Sequence, residues 1–482
     1  MDDPQHRGKL LFALAAFLMF CLGKFMPIKT CQNDVINAVT QPNCSEAYPS
    51  DIHAYRACMS AFALQHNWYP SPIAGLFSYP VWNGFDGFWQ DGAALETLAN
   101  FMWYGNNTMY KSVITASIRD LWSLLVAYGP QPSYDDMGWY AISYLRIHEV
   151  LGPADDDPTS YNNFFGETIQ IYNWIWEYGW DEYGECGGGF WFDQTLGSKQ
   201  TVENAQMLFL AAKLHRITGN DSFANQTETI WKFIDDNNII NNVTFLVADG
   251  INLTTCGSDE VYGPSYNMGL MISALVEAGP VLNRTDEFLN IAHSIAFAAI
   301  KLLTKNGTLV EYCTPTCDDD AKLFKGIFLR NLRYLLDYMD QNPRKGDVFR
   351  KGEYISYLRN NSDTVWKSDR CEPLNEKCDV MFTDGPSLND VTVGPVFSKD
   401  FRGPYNISNP ITQTAVLDLF VSSINSETKC AGKDCGFDPP QPTPKPLTCK
   451  NNPCPPNQPC CAYSDYYTCC EPSQKCVAGY CV

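Results

Sequence analysis

The sequence predicts an all-α fold, an (α/α)6 barrel of about twelve helices followed by a small disulfide-rich C-terminal module. Three observations predict it. From about residue 50 to 428, apolar residues recur at spacings of three and four, with few alternating runs. Polar residues at helix starts, Asp136, Asn204, Asn267 and Lys325, follow one another at 68, 63 and 58 residues, and a period near 60 describes stacked helical hairpins. Eight of the 20 cysteines crowd into residues 449–481, a segment too small for an ordinary core and dependent on disulfides. Six hairpins closed in a ring would gather the inner-helix starts around one cleft. An open helical solenoid is the alternative.

Taken in order, the chain opens on an apolar run from Leu10 to Gly23. Its fourteen residues suit the core of a signal peptide and are short for a membrane span, so residues 1–23 are expected to be a cleaved leader, with an uncleaved anchor as the alternative. The catalytic-size domain is expected over 24–428, with helices near 52–66, 87–104, 108–128, 135–151, 161–178, 200–218, 221–238, 265–279, 286–304, 322–340, 346–360 and 410–426. Residues 429–448 contain the proline-rich, stiff "GFDPPQPTPKPLT" and form the linker. Residues 449–482 are the cysteine-rich module, loosely similar to granulin-like or small chitin-binding modules.

Composition narrows the partners. A formal charge of −20 with no run of Lys and Arg argues against nucleic acid. Ten Asn-x-Ser/Thr sequons and the abundance of cysteine point to a secretory, oxidising route with N-glycosylation. Short pairs such as Cys313–Cys317, Cys371–Cys378 and Cys430–Cys435 read as loop staples, and an odd count between Cys31 and Cys435 leaves one thiol over. Aromatic residues make up 13% and sit beside Asp, Asn and Gly, the mixture that lines sugar-binding clefts.

Several chemistries lack their residues. The six histidines form no metal-ligand spacing, so no metal and no cofactor is expected. No G-x-S-x-G elbow is present, and the glycines of "GECGGGFWFD" follow no strand that would make them a phosphate loop. Asp135 and Asp136 differ, because glycosidic cleavage needs two carboxylates in opposite protonation states. Adjacent Cα atoms lie about 3.8 Å apart, which suits carboxyls on the order of 5 Å apart, the retaining geometry. As helix caps they would need no chemistry at all. Context favours the chemical reading. "FDGFWQDGAALETL" supplies Trp89 and Asp91, "YDDMGWY" adds Trp139, "GGGFWFDQTLGSKQTVENAQ" supplies Trp191, Lys199 and Asn204, "VADGINL" supplies Asp249, and "YGPSYNMG" supplies Tyr266 and Asn267.

The set "YDDMGWYAISYLRIHEV", "GGGFWFD", "VENAQMLFLAAKLHRITGN", "ADG", "YNMG" and "FKGIFLRNLRYLL" resembles glycoside hydrolase family 76, the endo-α-1,6-mannanases and their fungal wall-remodelling relatives, over about residues 85–340. The resemblance implies an (α/α)6 barrel, Asp135 as nucleophile and Asp136 as acid/base. Substrate contacts are expected from the residues that together outline one cleft: Trp89, Asp91, Trp139, Trp191, Lys199, Asn204, Asp249, Tyr266 and Asn267. The family's Y-N-Q-G reads Tyr266-Asn267-Met268-Gly269 here, replacing one polar contact by methionine. The expected activity is retaining cleavage of α-1,6-mannosidic bonds in α-mannan or mannose-containing oligosaccharides by a secreted or cell-surface monomer, with insoluble cell-wall polysaccharide held by the C-terminal module. Transglycosylation in wall remodelling and non-catalytic glycan binding are the alternatives; a helical isomerase or lyase would want histidines that are missing.

Overall fold

The computed structural model describes residues 41–69, 89–115, 133–152, 164–182, 184–380, 393–432 and 435, with the backbone of four short strands between 460 and 481. The expected leader, most of the helix expected at 108–128 and most of the linker lie outside the described residues. Among the described residues eleven longer helices follow one another: α1 Ile52–Trp68, α2 Trp89–Tyr104, α3 Tyr134–Leu151, α4 Phe164–Gly179, α5 Thr201–Thr218, α6 Asp221–Asp236, α7 Ser265–Val281, α8 Thr285–Leu303, α9 Ala321–Gln341, α10 Asp347–Ser368 and α11 Pro410–Ser422.

Two kinds of helix alternate. α11 buries all 13 of its residues and α2 buries 15 of 16, so neither presents a wet face. α6 buries only 6 of 16, at 223, 227, 230, 231, 233 and 234, one stripe of an amphipathic helix. The first kind forms an inner ring in which α2, α3, α5, α7, α9 and α11 pack in succession and α11 returns to α2. The second kind backs it: α4 lies on α3, α6 on α5, α8 on α7, α10 on α9 and α11, and α1 on α11. The ring is closed, an (α/α)6 barrel rather than an open solenoid.

Local chemistry sets the ends. Asp51 Oδ1 accepts the N–H groups of His53 and Ala54 at 2.8 and 3.1 Å to cap α1, and Asn409 caps α11 ahead of Pro410. α5 stops at Gly219, whose φ of +66° is left-handed. Inner helices approach closely: a Cβ on Gly269 of α7 would lie 2.8 Å from the Phe328 Cα of α9. The neighbouring Met268 is wholly buried, so the position that departs from Y-N-Q-G belongs to the core. α10 outruns the expected end near 360, because Asn361 and Ser362 are buried by tertiary bonds, Asn361 Oδ1 accepting from Leu309 N at 2.7 Å and Ser362 Oγ from Arg56 at 3.0 Å.

The interior of the ring is polar where first and last inner helices meet. Arg330 on α9 is buried and donates to Asp418 of α11 through Nε (3.0 Å) and Nη2 (2.7 Å), to Glu96 of α2 through Nη1, and to the Ala93 carbonyl. Thr97 and Tyr334 complete the two carboxylates at 2.8 and 2.7 Å. Farther along, Asn100 bonds Tyr334 and Arg146, Lys213 of α5 pairs with Glu149 of α3, and Arg216 pairs with Glu277 of α7.

Among the described residues five disulfides are formed, Cys44–Cys58, Cys186–Cys256, Cys313–Cys317, Cys371–Cys378 and Cys430–Cys435, including all three expected staples. In the C-terminal segment Cys460–Tyr463 pairs antiparallel with Tyr466–Cys469, and Cys476–Val477 with Tyr480–Cys481.

Removing one partner of a buried charge network strands the others, at about 3–5 kcal/mol. Arg330→Ala is therefore expected to lower the unfolding free energy by about that amount in denaturant titration, and a loss below about 1 kcal/mol would show that Arg330 does not tie the ring.

Candidate active site

The first turn of α3 carries the paired aspartates. Its start is held from outside the helix: Tyr134 N donates to Phe192 O at 2.9 Å and Ser133 forms a bridge with Asp193, while the Ser133 side chain makes no cap. Asp135 and Asp136 are the second and third helical residues, at the positive end of the helix dipole. Both are half-buried. First-turn N–H groups hold the Asp135 carboxyl, yet its Oδ1 is buried without a hydrogen-bond partner. Burial pushes the Asp135 carboxyl up to about 7, helped by the charges of Asp320 and Asp193 and opposed by those N–H groups.

One turn farther along, an aromatic belt crosses four inner helices. Trp139 stacks on Trp89 of α2 at 5.2 Å and meets Tyr266 of α7 at 6.4 Å, and Tyr266 lies 4.1 Å from Phe324 of α9. Asp320, just ahead of α9, accepts from Trp89 Nε1 at 3.0 Å and Gln90 Nε2 at 2.8 Å. Asp91 is buried in the first turn of α2, and burial of the Tyr140 hydroxyl, followed by the Asp91 charge, pushes that hydroxyl up. Asp249 and Asn267 meet directly: Asn267 Nδ2 donates to Asp249 Oδ1 at 2.7 Å, leaving Asn267 Oδ1 buried and unpartnered. Burial raises the Asp249 carboxyl above the usual range.

Lys199 and Asn204 serve the protein's own wall. Lys199 Nζ is fully buried, donates to Asp181 Oδ2 and Gly188 O at 2.7 Å each, and sits 4.5 Å over the Trp191 ring. Asn204 accepts from Phe190 N at 3.0 Å and donates to Gln200 O at 2.7 Å. Together with Cys186–Cys256 they fix the glycine-rich loop that presents Trp191. Gly188, at φ +112°, has no room for a side chain, since a Cβ would stand 2.7 Å from the Trp180 ring.

Of the four recurring polar residues, Asp136, Asn204 and Asn267 fall in the first turns of inner helices α3, α5 and α7, and Lys325 opens the second turn of α9. Asp193, Glu203 and Asp320 join the expected set and are not singled out by sequence: Asp320 ends an acidic run that reads as a solvated helix start, and Glu203 reads as half of a capping box. The result is an acidic cluster beside an aromatic belt, suited to neutral polyols and to positive charge that develops during a reaction.

A carboxyl whose folded value, about 7, exceeds its unfolded value makes the native state bind more protons, so its destabilising effect is present above that value and fades as pH falls toward 4. Asp135→Asn should therefore raise the melting temperature at pH 7, by roughly 1–3 °C in a chain of this size, and the gain should vanish near pH 4. A gain that is equal at both pH values would contradict the raised carboxyl.

Residues 53–399 match the family described as Glycosyl hydrolase family 76. The mannan endo-1,6-alpha-mannosidase DCW1 of Candida glabrata is 28% identical over 276 residues, covering 54% of this chain and 59% of that protein. The DCW1 protein of Saccharomyces cerevisiae is 25% identical over 281 residues, covering 54% and 58%. The chain thus spans under two thirds of the length of these relatives. Among solved structures, an inactive variant of an alpha-1,6-mannanase of Salegentibacter sp., with two consecutive aspartates changed to asparagine and alpha-1,6-mannotriose bound, superposes with a TM-score of 0.61 at 18% identity over 78% of this chain and 100% of that one. Dfg5 of Chaetomium thermophilum in complex with glucosamine gives 0.60 at 18% identity over 77% and 90%. A match across residues 53–399, on a closed ring of six inner helices shared with those solved structures, makes this chain a member of glycosyl hydrolase family 76.

Proposed function

We propose that the protein is a secreted glycoside hydrolase that cleaves α-1,6-mannosidic bonds in mannan-type glycans with retention of configuration. The observation that carries this reading is the pair of consecutive aspartates, Asp135 and Asp136, in the first turn of an inner helix above the Trp89–Trp139–Tyr266 belt. The names of the relatives support the linkage, and the inactivity of the solved mannanase variant after replacement of two consecutive aspartates supports the pair.

In the first step an Asp135 oxygen bonds to the anomeric carbon. The glycosidic C–O bond breaks, its electron pair passes to the leaving oxygen, and that oxygen takes the Asp136 proton. The mannose is then an ester of Asp135. In the second step Asp136, now a carboxylate, removes a proton from water or a sugar hydroxyl, whose oxygen attacks the anomeric carbon while the ester electrons return to Asp135. Two inversions preserve the α configuration. The high Asp135 value suits this role energetically, because a poorly solvated carboxylate gains most from positive charge growing on the sugar. Trp89, Asp91, Trp139, Asp249, Tyr266 and Asn267 are assigned to holding sugar, with Trp191 on the wall that Lys199 and Asn204 keep in place.

The secretory setting is supported by the ten sequon asparagines, none of which is buried, and by five disulfides. We assign residues 449–482 to retention on insoluble cell-wall polysaccharide and the working unit to a monomer. Deleting 449–482 should leave turnover of soluble oligosaccharide unchanged while weakening pull-down by insoluble mannan; equal pull-down would remove that role.

Asp135→Ala and Asp136→Ala should each lose turnover of α-1,6-mannooligosaccharide, by at least about 10⁴-fold and on the order of 10²–10⁴-fold respectively. Added azide should yield the β-mannosyl azide with the first variant and the α-azide with the second; the opposite pattern would exchange the two roles, and wild-type turnover in both would end the proposal. Because Asp135 must be ionised to attack, kcat/KM should fall as the medium is acidified from about pH 7. An increase on acidification would make Asp135 the proton donor.

A further inference from the structure

Glu203 stands behind the catalytic pair on a neighbouring inner helix, where nothing in the mechanism above uses it. It occupies the first turn of α5, is wholly buried, and accepts from Gln200 N at 2.6 Å through Oε1, the pattern of a helix cap. A capping glutamate usually faces water, which solvates the second oxygen. Here that second oxygen, Oε2, is buried with no hydrogen-bond partner. The Asp135 Oδ1 is in the same condition on α3.

The two first turns are locked together. Gln206, one turn beyond Glu203, donates to the Asp135 carbonyl at 3.2 Å. The contact is so close that a Cβ on Gly138 would fall 1.9 Å from Gln206 Oε1. The ionisable groups facing Glu203 are Asp135 from α3, which acts on it most strongly, Asp249 from the loop ahead of α7, and Tyr266 from α7. Lys199, the cation on the adjoining wall, is engaged by Asp181 and Gly188.

We propose that Glu203 is a positioning residue: a carboxylic acid kept neutral behind Asp135, whose Oε2–H supplies the hydrogen bond to the inward oxygen of the Asp135 carboxylate. The inference rests on Asp135 being the nucleophile. A second buried anion beside Asp135 and Asp249 would meet both desolvation and repulsion, and taking up one proton removes both. The same proton turns an unpartnered acceptor into a donor and satisfies two buried oxygens at once. Asp135 is a better recipient than the nearby amide oxygens of Gln200 and Gln206, since an anionic acceptor makes the stronger bond. Burial raises the Glu203 carboxyl well above its ordinary range, in keeping with the neutral form. The bond would aim the outward Asp135 oxygen at the anomeric carbon and steady the carboxylate when the ester is released.

Two substitutions separate this role from capping. Glu203→Gln keeps an acceptor for Gln200 N–H and offers an N–H where the acid offers an O–H; Glu203→Ala keeps neither. With α-1,6-mannotriose as substrate, Glu203→Gln should stay within about fivefold of wild-type kcat/KM with its acidic limb unmoved, as expected of a near-isosteric neutral donor. Glu203→Ala should move that limb up by about 1–2 pH units, the worth of a hydrogen bond to a charged group. Infrared difference spectra at pH 7 should show a protonated-carboxyl C=O band in wild type that is missing from Glu203→Gln. A limb moving to lower pH in Glu203→Gln would mean that Glu203 is an anion, and no movement in Glu203→Ala would leave it a cap; either overturns the proposal. If Glu203→Ala fails to fold, absence of the infrared band from wild type overturns it just as well. That band is read without turnover, so failure of wild type to cleave mannotriose would count against the mannanase reading and leave the protonation of Glu203 separately decided.

Discussion

Arg330 is the point on which the closed ring depends. Its guanidinium lies where α9, the last inner helix α11 and the first inner helix α2 come together, and it satisfies Asp418 and Glu96 simultaneously. Apolar packing alone is indifferent to register, whereas a buried arginine between two carboxylates has one acceptable placement. The pairs farther along, Arg146 with Asn100, Lys213 with Glu149 and Arg216 with Glu277, continue the specification from helix to helix around the ring. Closure brings residues at the starts of α2, α3, α7 and α9 together.

The polar groups around Arg330 and those of the catalytic first turns are matched differently. Within the ring, the Arg330 carboxylates are matched by a cation and by Thr97 and Tyr334. At the first turns, Asp135, Glu203 and Asn267 each retain a buried oxygen without a partner. An unmatched buried acceptor costs stability. The proton proposed on Glu203 would join two of these oxygens to each other, and the Asn267 oxygen is left for a ligand hydroxyl, the arrangement expected of a site that binds a polyol. Burial of Asp135 and the charges of Asp320 and Asp193 are thus one electrostatic unit, assembled from three separate chain segments.

Rigidity at the rim has a different origin. The glycine-rich loop has little secondary structure, and its shape is set by the Cys186–Cys256 link, the Lys199–Asp181 ion pair and the bonds of Asn204 to the backbone of Phe190 and Gln200. Residue types that suggest sugar recognition, a lysine and an asparagine beside a tryptophan, are here spent on holding that tryptophan's loop. The distinction depends on where each polar atom finds its partner.

By itself the sequence determined the helical class, because three-and-four spacing follows from 3.6 residues per turn, and it determined the hairpin period, because Asp136, Asn204, Asn267 and Lys325 recur near the starts of inner helices. It also made the Asp135–Asp136 pair visible, since adjacency along the chain survives folding unchanged. The three short disulfides were legible for the same reason. Only the tertiary structure decided that the ring closes, because Arg330, Glu96 and Asp418 are far apart in sequence and equally consistent with solvated helix faces. It alone extended α10 through Asn361 and Ser362, whose polarity is met by Leu309 and Arg56. It alone brought Asp193, Glu203 and Asp320 to Asp135, since desolvation and the field of neighbouring charges are properties of a place in space, and no spacing along the chain encodes them.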